Sequence, residues 1–275
     1  MKNPARRKFI VDSAVASGGL AIGWHLPSAF AAEKAAGTEV NAWVVIKPDN
    51  STVIRVARSE MGQGTITGLA QLVAEELECD WSKVSVEQVT AGQNLARKRV
   101  WGEMSTGGSR GIRTSHDYVR RGGAAARLML VQAAAEAWRV PASQLTTANG
   151  VIMHGPSKRI TTYGKMAAQA AKLAPPDSKS IRLKDPRQWR VAGQPLKRLD
   201  TAPKLNGSKI YSIDFKLPGM LLAAVKQCPV FTGTLASYDD SKVRGMPGVK
   251  RVLKVNDSTV AVVADTWWHA KSALE

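Results

Sequence analysis

The chain has 275 residues, 44% hydrophobic and 22% charged, the composition of a globular protein with room for one large domain or two modest ones. Its formal net charge is +17, but the Lys and Arg residues are spread out, with no aromatic-studded basic run, so an anionic cofactor or acidic protein is a better match than nucleic acid. Two cysteines, Cys79 and Cys228, exclude a disulfide framework, a CxxC zinc site and an iron–sulfur cluster held by this chain alone.

Residues 1–31 read as an export address rather than as core, the other reading being an amphipathic N-terminal helix. Arg6-Arg7-Lys8-Phe9-Ile10 is a twin-arginine start, a weakly apolar stretch runs from Ala14 to Gly23, and Ala29-Phe30-Ala31 fits an A-x-A cleavage site. A twin-arginine signal peptide predicts export to the periplasm of a chain already folded, as cofactor-containing cargo often is.

From Asn41 to Ala57 two alternating β-branched runs flank Lys47-Pro48-Asp49-Asn50, which predicts a hairpin. After Glu60-Met61-Gly62-Gln63-Gly64 comes a helix with Leu69, Leu72, Val73 and Leu77 on one face and Gln71, Glu75 and Glu78 off it. The adjacent Glu75 and Glu76 read as a solvated face, and Glu60 as a strand-end charge, the other reading being a residue that orients the loop beside it. Ser85 to Val89 alternates as a short strand. A loop rich in Gly, Arg and Asn, containing Ser105-Thr106-Gly107-Gly108-Ser109-Arg110-Gly111, then leads into a long helix over Ser115–Trp138, ended before Pro141. Its buried face is expected to be small: Gly122, Ala125, Ala126, Met129, Ala133 and Ala137. Val151–His154 and Arg159–Thr161 make a further strand pair, Tyr163–Leu173 a third helix, and Pro175-Pro176-Asp177 opens a polar connector. The order ββαβαββα indicates an α+β domain of mixed α/β layers.

Further on, Tyr211–Lys216 and Met220–Lys226 read as strands about a Pro218-Gly219 turn. Val249–Val255 and Thr259–Ala264 form a hairpin, and Asp265–Ala270 is the entry to a helix. Trp267-Trp268 reads either as a partner anchor or as core left exposed by truncation. His116, His154 and His269 have no i, i+4 partner, and no metal site is expected.

Two glycine-containing loops therefore each lead into a helix. Helix N-termini expose unpaired N–H groups and partial positive charge, and glycine lets backbone approach a ligand closely. Gln63 adds a donor and an acceptor, Ser109 a hydroxyl and Arg110 a cation. Side by side, two such loops could clamp a pyrophosphate or a pterin edge.

From Ser59 onward the sequence resembles the large, molybdopterin-binding subunit of the xanthine dehydrogenase/aldehyde oxidase family, in its isoquinoline 1-oxidoreductase β-subunit type, which carries a twin-arginine leader. The matching residues are Met61-Gly62-Gln63-Gly64, then Thr106, Gly107, Gly108, Ser109, Arg110 and Gly111, then Lys204–Gly207 with Tyr211, Asp214 and Leu217–Ala223. The resemblance implies a signal peptide at 1–31, a molybdopterin-binding-type domain at 37–195 and an incomplete hammerhead-like α/β domain at 196–275. It implies that Gly62, Gln63 and Gly64 contact the molybdenum cofactor, and that the 106–111 loop holds its pterin and pyrophosphate part. The implied cofactor is molybdopterin in its cytosine dinucleotide form. The implied partners are a small subunit carrying iron–sulfur clusters, the remainder of the large subunit and a cytochrome electron acceptor. The implied reaction is hydroxylation of an N-heterocycle or oxidation of an aldehyde, with oxygen from water. The family's general-base glutamate and a second glycine-rich loop have no counterpart here. The chain thus reads as the N-terminal part of a longer subunit, inactive alone and without a catalytic residue of its own. The other reading is an exported binding module, or a remnant without cofactor.

Overall fold

The computed structural model describes residues 37–275, so the signal peptide expected at 1–31 lies outside the described residues. The chain divides into two compact units, the first running to Ala202 and the second from Pro203 to Glu275. Both mix strands and helices, giving an α+β fold of mixed layers. Among the described residues no helix is long and apolar enough to cross a membrane.

In the first unit, β1 (Thr38–Asn41), β2 (Val44–Ile46), β3 (Thr52–Val56) and β4 (Val84–Gln88) form one sheet in that order. The predicted hairpin is β2–β3, with Val44 opposite Ile54 and Ile46 opposite Thr52. Its turn is fixed by Asn50 in the left-handed region (φ 69°) and by Asp49 Oδ1, which accepts from the Ser51 amide and hydroxyl. The first strand, β1, had no place in the sequence reading. Strands β3 and β4 are parallel, which demands a crossover, and helix α1 (Thr65–Leu77) supplies it. The Gly/Arg/Asn-rich stretch read as loop contains a short helix, α2 (Ala91–Ala96). Thr90 and Gln93 form a capping box at its start.

After a single turn, α3 (Arg110–Arg113), the long helix α4 spans His116–Trp138 as predicted. Its small residues are required by close approach. A Cβ on Gly123 would lie 2.3 Å from the Val73 carbonyl oxygen, and one on Gly122 2.6 Å from the Trp43 ring. The buried stripe ends at Ala135, and Ala137, expected on it, is exposed. Strands β5 (Leu145–Ala148), β6 (Val151–His154) and β7 (Arg159–Thr162) form a second, antiparallel sheet, followed by α5 (Tyr163–Ala170). The predicted pair is β6–β7; β5 is an addition, joined to β6 by Asn149-Gly150 with both residues at positive φ. One core of Ile46, Ile54, Leu77, Trp101, Leu130, Ile152 and Tyr163 lies between these layers.

The stretch after Pro176, read as a polar connector, is a strap laid back over the helices. Ile181 packs on Ala124 and Ala125, and Arg121 Nη1 donates to the Ser178 carbonyl at 2.7 Å. The strap buries the two glutamates read as a solvated face: Glu75 is 2% exposed and Glu76 fully buried. Glu75 accepts the amides of Arg190, Val191 and Ala192 and pairs with Lys184 Nζ at 3.0 Å. Glu76 takes Arg120 Nε and Nη2 at 2.9 and 2.7 Å and accepts from the Lys184 amide. Their partners come from more than a hundred residues downstream or from α4, so local periodicity reads only that they leave the apolar stripe.

In the second unit β8 (Leu222–Gln227), β10 (Thr259–Ala264) and β9 (Val249–Asn256) form an antiparallel sheet in that spatial order. Helix α6 (Trp267–Leu274), capped by the Thr266 hydroxyl on the His269 amide, packs Ala270 on Ala224 and Ala264. The strand expected at Tyr211–Lys216 is instead a 3-10 turn at Ser212–Asp214. The Asp214 carboxylate accepts the Tyr211 amide, and this local bond replaces a ladder.

Candidate functional site

The two glycine loops lie side by side at the end of β3. The Ser59 amide donates to the Met104 carbonyl at 2.8 Å, and Thr106 Oγ1 donates to the Ser59 carbonyl at 2.7 Å. Where the helices after the loops touch, there is no room for side chains. A Cβ on Gly111 would stand 2.8 Å from Thr65 Cγ2, and one on Gly68 3.1 Å from Ile112 Cδ1. Gly111 is therefore buried packing between the loops, while Gly62, Gln63, Gly108, Ser109 and Arg110 are exposed and Gly64, Thr106 and Gly107 half-buried.

The first loop is organised by Glu60, which has the opposite of a plain strand-end role. Its Oε1 accepts the amides of Gly62 (2.9 Å) and Gly64 (2.8 Å), and its Oε2 accepts the Ile66 amide in the first turn of α1 (3.0 Å). Burial alone would raise its pKa; the amides of Gly64, Ile66 and Gly62, with the Arg198 guanidinium, outweigh that and hold the carboxyl below its ordinary 4.5. The anion at the N-terminus of α1 is thus one of the chain's own carboxylates, and a ligand phosphate would find that place taken. With its oxygens committed to three amides and an arginine, Glu60 is also not placed to act as a base. Gly62 (φ 105°) and Gly64 (φ 86°) must be glycines to let the loop fold around it.

Gln63 turns inward as well. Its Oε1 accepts the Met61 amide at 2.6 Å, and its Nε2 donates to the Ser59 carbonyl and to Thr65 Oγ1. In this state it closes its own loop instead of presenting an unused amide to a ligand.

The second loop is held from below by Arg58, a residue that sequence reasoning missed. Only 3% exposed, it donates Nε to Ser115 Oγ (2.9 Å), Nη1 to the Ser105 carbonyl (2.8 Å) and Nη2 to Thr114 Oγ1 (2.7 Å). It binds both ends of the loop at once, as the planar fork of arginine allows. Gly108 and Ser109 are both left-handed, at φ 54° and 57°. Arg110 folds back, Nε donating to the Gly107 carbonyl at 3.3 Å, with Nη1 4.0 Å from Glu103. The helix that follows is a single turn, too short for a helix-terminus field, so neither loop works as the sequence suggested through an open N-terminus.

What the pair of loops does offer is bare backbone. A Cβ added at Gly62, Gly107 or Gly108 would meet nothing within 4 Å. At Gly62 and Gly108 the positive φ accounts for glycine; at Gly107 neither φ nor any neighbour does. That is a surface a flat, polar group can approach, flanked by the Ser109 hydroxyl and the Arg110 guanidinium. A cleft of about 540 Å³ lies elsewhere, under the strap, lined by Glu75, Glu78, Thr147, Lys184 and Trp189. Its Lys184 is already bridged to Glu75 and Glu78, so volume and chemistry do not coincide there.

Residues 8–210 match the molybdopterin cofactor-binding domain family. The chain is 33% identical over 298 aligned residues to the beta subunit of isoquinoline 1-oxidoreductase from Brevundimonas diminuta, covering 95% of this chain and 38% of that protein. It is 32% identical to the membrane-bound aldehyde dehydrogenase [pyrroloquinoline-quinone] of Gluconacetobacter polyoxogenes, over 98% of this chain and 36% of that one. A nicotinate dehydrogenase subunit from Pseudomonas putida is 26% identical, over 82% and 19%. The chain therefore spans less than two fifths of the length of these relatives.

Proposed function

The chain belongs to the molybdopterin cofactor-binding domain family, and from that premise we propose that Gly62–Gly64 and Thr106–Arg110 hold part of a molybdopterin cofactor in the large subunit of a molybdenum hydroxylase. The observation that carries this reading is the bare backbone at Gly62, Gly107 and Gly108, on two adjoining loops inside the matched region. Gly62 and Gly107–Gly108 would meet the flat face or edge of the group, and Ser109 and Arg110 its anionic part. Arg58 and Glu60 would keep the two loops in shape without touching it. When bound, the cofactor would supply the redox chemistry that incorporates oxygen from water into an N-heterocycle or an aldehyde; the protein positions it. The relatives named for isoquinoline, nicotinate and aldehydes support that range of substrates.

The twin-arginine pattern at Arg6-Arg7 and the Ala29-Phe30-Ala31 site favour export to the periplasm. Two of the relatives are named as subunits, which favours work in an assembly; a small subunit carrying iron–sulfur clusters and a cytochrome acceptor follow from the resemblance alone. A cytosine dinucleotide form of the cofactor and a hammerhead-like role for residues 196–275 follow from the resemblance alone.

The test is to express the full native gene in a host that makes the molybdenum cofactor, then assay metal and released pterin per chain. Wild type should hold both, and Gln63→Ala and Ser109→Ala should lower both. A wild-type protein with neither metal nor pterin contradicts the reading. A pyrroloquinoline quinone released in their place would move it towards the chemistry in the second relative's name.

A further inference from the structure

Arg198 reaches the first loop from the far end of the strap, and nothing in the sequence links it to Gly-Gln-Gly. Its Nη1 donates to the Gly62 carbonyl at 2.8 Å, and its Nη2 lies 3.4 Å from Glu60 Oε1. The same guanidinium forks onto Asp200, Nε to Oδ1 and Nη2 to Oδ2, both at 2.8 Å. Its plane also covers the side of Gly64 where a side chain would stand, with Nη1 3.4 Å and Cζ 3.5 Å from an added Cβ. The segment around it is anchored separately. The Leu199 amide donates to Thr67 Oγ1 in α1 (3.0 Å), and Gln71 Nε2 donates to the Val191 and Gln194 carbonyls (3.1 Å each). The loop is thus restrained on its carbonyl side by Arg198 and on its amide side by Glu60, while the Cβ side of Gly62 stays open.

We propose that Arg198, held by Asp200, is a positioning residue that fixes the Gly62–Gly64 backbone in its ligand-ready shape and so ties the strap to cofactor binding. The inference rests on the cofactor reading above. A lysine cannot replace it, because one ammonium cannot fork onto Asp200 and reach the Gly62 carbonyl while lying flat on Gly64. Arginine's planar, preorganised donors can do all three.

The experiment compares wild type, Arg198→Gln, Arg198→Lys and Gln71→Ala in the full native gene product. It reads molybdenum per chain, melting temperature, and amide hydrogen exchange over residues 61–67. Gln71→Ala loosens the strap without touching Arg198 and separates a general strap effect from the specific one. The expected result is a drop in retained molybdenum of about tenfold in both Arg198 variants, the size usual for partners that orient a binding group. Exchange should quicken at 62–66, with a melting temperature close to that of Gln71→Ala, which keeps its metal. Molybdenum retained in Arg198→Gln at the wild-type level overturns the positioning role and leaves the cofactor reading intact. Equal loss in Gln71→Ala also overturns it, by making the strap as a whole responsible. A wild-type protein without molybdenum overturns the cofactor reading, and the positioning role with it.

Discussion

The two units bury different kinds of residue. The first fills its core with Ile46, Ile54, Leu77, Trp101, Leu130, Ile152 and Tyr163, and it partners the charges it buries. The second buries chiefly Ala224, Ala261, Val262, Ala264, Ala270 and Ala273, while Val225, Val255, Trp267, Trp268 and Phe231 are exposed. Apolar stabilisation scales with area removed from water, so alanines contribute little each. A unit built that way gives its sheet a shape without much cohesion. The first unit can hold two loops rigid around bare glycine backbone because a dense core and a strap stand behind them.

Substitutions can break this comparison, the largest effects first. Glu76→Ala should destabilise the first unit by about 3–5 kcal/mol in urea titrations, since it strands a buried Arg120. Ile54→Ala should cost about 2–5 kcal/mol by cavity formation, against about 1–2 kcal/mol for Val262→Ala in the second unit, where small neighbours leave less to lose. Equal costs for that pair would end the contrast. Gly123→Ala should cost about 1–3 kcal/mol, because α4 must move off the Val73 carbonyl. Gly107→Ala should change stability by less than about 0.5 kcal/mol, as an open position away from special backbone does.

Acid sharpens the same contrast. Burial pushes the Glu75 pKa up, but the amides of Val191 and Arg190, Lys184 and the Ala192 amide outweigh it, so its folded value lies below the ordinary 4.5, as does that of Glu60. Both contribute stability that is full above pH 4.5 and is lost as the pH falls through their lowered values. In the second unit the lowered carboxylates are Asp239, Asp257 and Asp265, held by Ser241, Lys254 and His269 at the surface. In the acid dependence of exchange protection, high salt should therefore weaken the shares of Asp257 and Asp265, and of Asp117 and Asp185 at the surface of the first unit, and leave most of those of Glu75 and Glu60. Glu75→Gln should flatten that dependence in the first unit.

Much of the fold was legible because it is local. The β2–β3 hairpin announces itself in Pro48-Asp49-Asn50, and α4 in a run of small helix formers stopped before Pro141. The β5–β6 hairpin had as strong a mark, Asn149-Gly150 between Thr146 and Val151, and could have been read from it. The adjacency of the two glycine loops was foreseeable only as a resemblance. Among the residues that hold them, Glu60, whose partners Gly62, Gly64 and Ile66 are local, was open to being read as orienting the loop beside it; Arg58 and Arg198 were not, being ordinary charges until the fold brings Ser105 and Gly62 to them. Glu75 and Glu76 failed for the same reason, since their partners lie on the strap and on α4. Long-range pairing of buried charge leaves no period in the sequence.

The most direct test of the central claim is the pterin content of Gly107→Val measured beside its stability. Gly107 has room for a side chain and no backbone reason to lack one, so the account predicts a variant that folds and melts like wild type yet releases little pterin on denaturation. A Gly107→Val protein that keeps its full pterin would show that the bare backbone of this loop faces solvent, and the loops would then be turns rather than a cradle.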